Sequence, residues 1–114
     1  MAPRPHLSIS DLTTIRFAAL TCRASARRVP SGDPAVAMLA TALRGLGRPP
    51  CVYAPGTEAV SFDEHWMLAL LAAARRGDRS SRTFLLRSRI RTAEREMLDA
   101  SARVLAAQLD AAVA

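Results

Sequence analysis

Seven arginines crowd into one short stretch of this 114-residue chain. Arg75, Arg76, Arg79, Arg82, Arg87, Arg89 and Arg91 are opposed there by Asp78 alone. Seven positive charges less one give a local +6, which equals the formal net charge of the whole chain. Guanidinium groups fork onto phosphates and carboxylates, so such a block suits either a nucleic-acid backbone or an acidic protein surface. Helical geometry discriminates between the two. At about 100° per residue, Arg82 and Arg89 fall on one side of a helix, and Arg87 and Arg91 fall on another. Leu86 and Ile90 lie between them. That pattern predicts two charged flanks of a buried stripe, facing solvent or a partner. Phe84 is the one aromatic residue among the arginines, whereas stacking platforms for bases interleave several.

A helix-turn-helix is the nucleic-acid alternative. Arg76-Gly77-Asp78 is a short turn containing glycine, as that motif requires. The helix after it would present Arg79, Ser80, Ser81 and Arg82, with Ser81 and Arg82 reaching base edges. The helix before it is too apolar to lie across a DNA backbone.

Other residues capable of chemistry are sparse. Asp63-Glu64-His65 groups three ligand types, but adjacent helical residues point about 100° apart, and two-ligand helical sites need i and i+4. The expectation is a capping box with a partly buried histidine beside Trp66. Cys22 falls on an apolar seam and is expected to be buried and inert. Cys51 sits in a loop near Arg48 and Tyr53, and these three are the loop candidates for a binding role. Nothing in the local sequence activates the Cys51 thiol. There is no G-x-S-x-G, no P-loop and no H-E-x-x-H. No enzyme activity, metal, cofactor or small-molecule substrate is read from these residues.

The elements that position these groups follow from periodicity. Met1 to His6 holds two prolines, and residues 1–9 are expected to be a flexible tail before a single domain over 10–114. A first helix starts near Ser10 or Asp11, both good caps. Its stripe is Leu12, Ile15, Ala19, Cys22 and Ala26, ended by Val29-Pro30-Ser31-Gly32. A second starts with Asp33 as cap and Pro34 at the first helical position. It buries Val36, Leu39, Ala40, Leu43 and Leu46, and Gly45 and Gly47 offer left-handed stops.

Arg48 to Val60 carries three prolines and a glycine and is read as an irregular loop, with Cys51 to Ala54 extended. Ser61-Phe62-Asp63-Glu64 opens a third helix through a capping box, and Gly77 closes it. From Trp66 to Ala74 it is apolar all round, which predicts a central helix buried on most sides, with Phe62 and Trp66 as core neighbours. Asp78 or Ser80 caps the next helical segment. Leu86, Ile90, Ala93, Met97, Ala100, Val104 and Ala107 form a heptad-like seam. One long helix or two are both compatible with it. A break between Arg89 and Thr92 is favoured, because Thr92 can cap a new helix.

The predicted fold is therefore all-α, a compact bundle of four to five helices with a proline-rich loop between the second and third. Half the residues are apolar but only 4% are aromatic, so a few large side chains must carry much of the burial. All sixteen basic residues are arginine, and lysine and asparagine are absent, as expected of a GC-rich bacterial genome. No signal-like h-region and no apolar run long enough for a bilayer is present, which points to the cytoplasm, with reduced thiols and no membrane partner.

In Arg48-Pro49, Ala54-Pro55-Gly56, Asp63-Glu64 and Gly77-Asp78 the chain resembles a group of small, uncharacterised helical proteins of alphaproteobacteria. The resemblance spans roughly the C-terminal two thirds. Those proteins tend to carry two cysteines just after the Pro-Gly, where this chain has Thr57 and Ala59. A metal or redox role suggested by such cysteines does not carry over. The resemblance implies the helical fold and brings no function with it. The functional expectation is a non-enzymatic regulatory or adaptor protein that binds a protein partner or itself. Nucleic-acid binding through residues 75–91 is the alternative.

Overall fold

The computed structural model describes residues 9–23, 34–48 and 50–113. They form five helices: α1 (Ile9–Arg23), α2 (Pro34–Arg44), α3 (Phe62–Arg76), α4 (Arg79–Arg89) and α5 (Thr92–Val113). No strand occurs among the described residues. The all-helical bundle is as the periodicity predicted. No described helix is long and apolar enough to cross a membrane.

Packing follows the apolar stripes. α1 lies on α2 and α3, while α5 lies on α2, α3 and α4. The core draws Ile15 and Ala18 from α1, Leu39 and Leu43 from α2, and Met67, Leu70 and Leu71 from α3. Leu86 of α4 and Leu98, Ala102 and Leu105 of α5 complete it. α3 was expected to be the centre; it shares that place with α5, since each touches three other helices.

The start of α3 is the local structure most directly written in the sequence. The Glu64 amide donates to the Ser61 hydroxyl, and the Ser61 amide donates to the Glu64 carboxylate, both at 3.0 Å. This closes two of the free amides of the first turn. Gly77 ends α3 in the left-handed region at φ 67°, with its amide directed at the Ala73 and Ala74 carbonyls. A side chain there is strained in that conformation. Gly77→Ala is expected to lower stability by about 1–2 kcal/mol, read as a drop in the thermal midpoint; an unchanged midpoint would show that the turn does not need the left-handed residue.

Asp78 then caps α4. Its carboxylate accepts from the Ser81 amide at 3.0 Å and from the Ser81 hydroxyl at 2.6 Å. These two bonds hold the Asp78 carboxyl below its ordinary range.

Several expectations are corrected. Gly45 and Gly47 are not left-handed stops, because among the described residues Gly56 and Gly77 are the glycines with positive φ. α2 ends instead through a tight bond from the Leu46 amide to the Leu43 carbonyl, and Glu94 takes the Gly47 amide at 3.0 Å. Ser10 and Asp11 lie inside α1 rather than before it. Asp33, Ala26 and the 29–32 stop fall outside the described residues, as do residues 1–8; Cys22 is helical, but its side chain is not among those described.

The favoured break is present. Ile90 leaves the helix at φ −112°, ψ 136°, and α5 starts at Thr92. The heptad seam, however, does not continue through it. Met97 and Val104 are about half exposed and Ala93 and Ala107 are exposed, while Leu98, Ser101, Ala102, Leu105 and Ala106 are buried. The extended residue at the break resets the helical phase, and the buried stripe moves one position along to the leucines.

Candidate functional site

The loop from residue 50 to Ser61 is held from beneath by one buried ion pair. Arg16 on α1 is 3% exposed and Glu64 on α3 is 0% exposed. Arg16 Nε donates to Glu64 Oε2 at 2.7 Å, and its two terminal nitrogens donate to the Thr57 and Ala59 carbonyls at 2.7 and 2.8 Å. Glu64 also accepts from the Tyr53 amide at 3.3 Å. Burial alone would push the Glu64 carboxyl up. The bonds from Arg16, Ser61 and Tyr53 outweigh it and hold the group below the ordinary carboxylate range. The same bond raises Arg16 above its usual value against the pull of burial.

Sequence reasoning placed Glu64 in the capping box but missed Arg16 altogether. The two residues are 48 positions apart, and no local pattern marks which of sixteen arginines turns inward.

Above this lock the loop lies close to the bundle. Val52 is buried. The Cys51 amide donates to Asp63 Oδ2 at 2.7 Å, and the Ser61 hydroxyl donates to the Cys51 carbonyl. Arg48, Cys51 and Tyr53 are all exposed along the loop. Arg48 borders a small cleft of about 70 Å³ with Asp63, Trp66 and Arg89. No group of three metal-ligating side chains exists among the described residues. His65, expected to be partly buried, is exposed, because its neighbour Trp66 takes the inward direction and the two point about 100° apart.

The arginine block divides into two sets. Arg75 bridges Asp11 of α1 at 2.8 Å and Asp110 of α5 at 2.9 Å. Arg82 pairs with Asp99 of α5 at 3.0 Å. Arg89 pairs with Asp63 of α3 and lies over the rings of Phe62 and Trp66, 4.9 and 5.9 Å from their centroids. These three fasten helices to one another. Arg76 makes a longer, exposed contact to Asp78. Arg79, Arg87 and Arg91 are exposed and pair with no carboxylate among the described residues. Arg82 and Arg89 lie on α4 with Arg87, but Arg91 lies beyond the extended Ile90, outside the helix expected to carry it beside Arg87. The first two form an ion-paired seam rather than a solvated flank.

The division yields a measurable contrast. Arg82→Ala is expected to destabilise the fold by about 1 kcal/mol, because it leaves the partly buried Asp99 with only its longer contact to the exposed Arg103 at 3.4 Å. Arg87→Ala is expected to stay within about 0.5 kcal/mol of the parent. Chemical denaturation of the two variants side by side reads the difference; equal midpoints would contradict it.

Helices α3 and α4 run antiparallel as a hairpin. The Trp66 indole N–H donates to the Leu85 carbonyl at 3.2 Å, and Arg89 at the end of α4 covers Phe62 at the start of α3. A helix-turn-helix crosses its helices at about 90–120° instead. Of the residues offered to base edges, Ser81 is bound to Asp78 and Arg82 to Asp99.

The outward side of the hairpin mixes exposed aromatic and alanine residues with arginine and serine. On α3, Phe62, Ala69 and Arg76 recur every seven residues along one exposed strip, and on α4 Ser80, Phe84 and Ser88 recur every four. Between the strips runs an open groove of about 440 Å³, lined by Ala69, Ala72, Arg76, Ser80, Phe84 and Leu85. Phe62 is 76% exposed and Phe84 72%. Phe62 was expected in the core beside Trp66. Trp66 does pack partly against the core, but Phe62, in the first turn of α3, faces outward beneath Arg89. Neither phenylalanine was singled out by sequence as a surface residue, since an aromatic at helical spacing ordinarily signals burial.

No family model, no curated protein and no solved structure matches the chain.

Proposed function

We propose that the chain is a small, non-enzymatic adaptor or regulatory protein that works by binding another protein, and that its contact face is the outer surface of the α3–α4 hairpin. One observation carries this reading. Phe84, 72% exposed, stands on one wall of an alanine-floored groove, and Phe62, 76% exposed, stands two helical turns before Ala69 on the same hairpin. Exposing two aromatic rings together forgoes roughly 1.5–3 kcal/mol of burial apiece. Exposed apolar patches of this kind mark interaction sites, and aromatic side chains supply most binding energy at interfaces.

Site-specific photo-cross-linking tests the face. A photoreactive phenylalanine at position 62 or 84 is expected to form a discrete protein adduct in cells, whereas the same probe at Val104, an exposed apolar position on α5, is not. Equal adducts from all three positions, or adducts to nucleic acid, would contradict the assignment.

A second reading rests on Arg79, Arg87 and Arg91, which are exposed and free of carboxylates among the described residues. If these three neutralise phosphates, binding to duplex DNA should weaken with salt at a log–log slope of about −2.7. Absence of binding at low salt would remove this reading.

A further inference from the structure

Resting on that docking face, we infer that its occupant is an acidic amphipathic helix of a partner protein, not a second copy of this chain. Three features of the groove lead there. The first is its form. With no strand among the described residues there is no sheet edge to extend, and a groove walled by two adjacent helices suits a helix laid in it. The walls are helices of 15 and 11 residues, about 22 and 16 Å long, enough to seat three or four turns of a third helix.

The second is the floor. Ala69 and Ala72 carry no bulk beyond Cβ, which lets a backbone come close, while Phe84 and Leu85 on one wall can interleave with the large residues of an incoming stripe.

The third is charge, and it selects the partner. Arg76 lines the groove, Arg79 and Arg87 flank the Ser80–Phe84 strip, and Arg89 lies over Phe62. Asp63 and Asp78 neutralise Arg89 and Arg76 in part, which leaves Arg79 and Arg87, paired with no carboxylate among the described residues, as the charge that selects. A second copy would bring its own arginine rim against this one, and like charges juxtaposed across an interface oppose association. A helix with glutamates or aspartates flanking an aliphatic stripe instead meets the arginines and covers Phe84.

Selection from a display library of randomised 18-residue helices, using the full chain as bait, tests the inference. Clones that bind the parent but are lost on Phe84→Ala are expected to carry net negative charge, at least three more acidic than basic residues. Their affinity should fall at least tenfold between low and high salt, and less so for the Arg79→Gln, Arg87→Gln double variant. Phe84-dependent clones with neutral or basic flanks would overturn the acidic helix while leaving the docking face in place. Enrichment of no Phe84-dependent clone would overturn the inference, and the cross-linking result at positions 62 and 84 would then decide the face separately. A concentration-dependent dimer abolished by Phe84→Ala would also overturn it, in favour of self-association.

Discussion

Glu64→Ala is expected to lower the unfolding free energy by about 3–5 kcal/mol, because it strands the Arg16 guanidinium in the interior without its counter-charge. For a domain of this length each kcal/mol is worth about 4 °C, so the midpoint should fall by roughly 12–20 °C. The loss exceeds that of a surface ion pair because Glu64 has no exposed surface and takes bonds from Arg16, Ser61 and Tyr53 at once. Should the variant fail to fold, Glu64→Gln serves instead. It keeps the shape and some of the bonds but removes the charge, and a smaller loss is expected.

The pH dependence has a definite sign. Glu64 titrates lower in the folded chain than in the unfolded one, so its contribution is fully present above the unfolded value, about 4.3. It is lost as the pH falls through the depressed folded value. Asp78 acts in the same direction. The parent should therefore lose stability steeply below about pH 4.3, and Glu64→Gln should flatten that slope. Identical acid profiles for the two proteins would show that the pair does not hold its charge in the fold.

The second large effect concerns recognition. Phe84→Ala is expected to weaken partner binding by about 2 kcal/mol or more, roughly thirtyfold in Kd, while changing the folding free energy by less than about 0.5 kcal/mol. Both halves follow from one fact. A ring that is 72% exposed contributes little to the fold and has nearly all its surface left to bury against a partner. Phe62→Ala should behave in the same way, with an additional small cost from losing the ring beneath Arg89. A variant at position 84 that binds normally, or that unfolds the chain, would place the ring's role elsewhere.

Local signals in the sequence led to local structure. The Ser61–Glu64 capping box, the Gly77 stop, the Asp78 cap and the break before Thr92 each depend on residues within a turn of one another, and each is present. What depended on distant partners did not show. Arg16 resembles every other arginine until α1 is laid against α3. The Leu98–Leu105 stripe could not be separated from the neighbouring Met97–Val104 seam, because the phase of α5 is set by the geometry of Ile90 and not by its own periodicity.

The arginine block shows both sides of this. That Arg82 and Arg89 share a side of one helix was legible from spacing, whereas the break at Ile90 removed Arg91 from the face expected to hold it with Arg87. That Arg75, Arg82 and Arg89 would meet Asp110, Asp99 and Asp63 was not legible, because those aspartates lie on helices whose placement spacing does not give. The exposed Phe62 and Phe84 were the least legible of all. Apolar character tells which residues can be buried, and only the packed structure tells which of them found no room.

The vacancy of the α3–α4 face is best tested by fluorine NMR of the isolated chain with fluorophenylalanine at its three phenylalanine positions. The expected result is strong broadening by a soluble paramagnetic agent of the resonances from positions 62 and 84, unchanged over a wide range of protein concentration. Resonances at 62 and 84 shielded from the agent would contradict it, whether the rings fold inward or a second copy covers them.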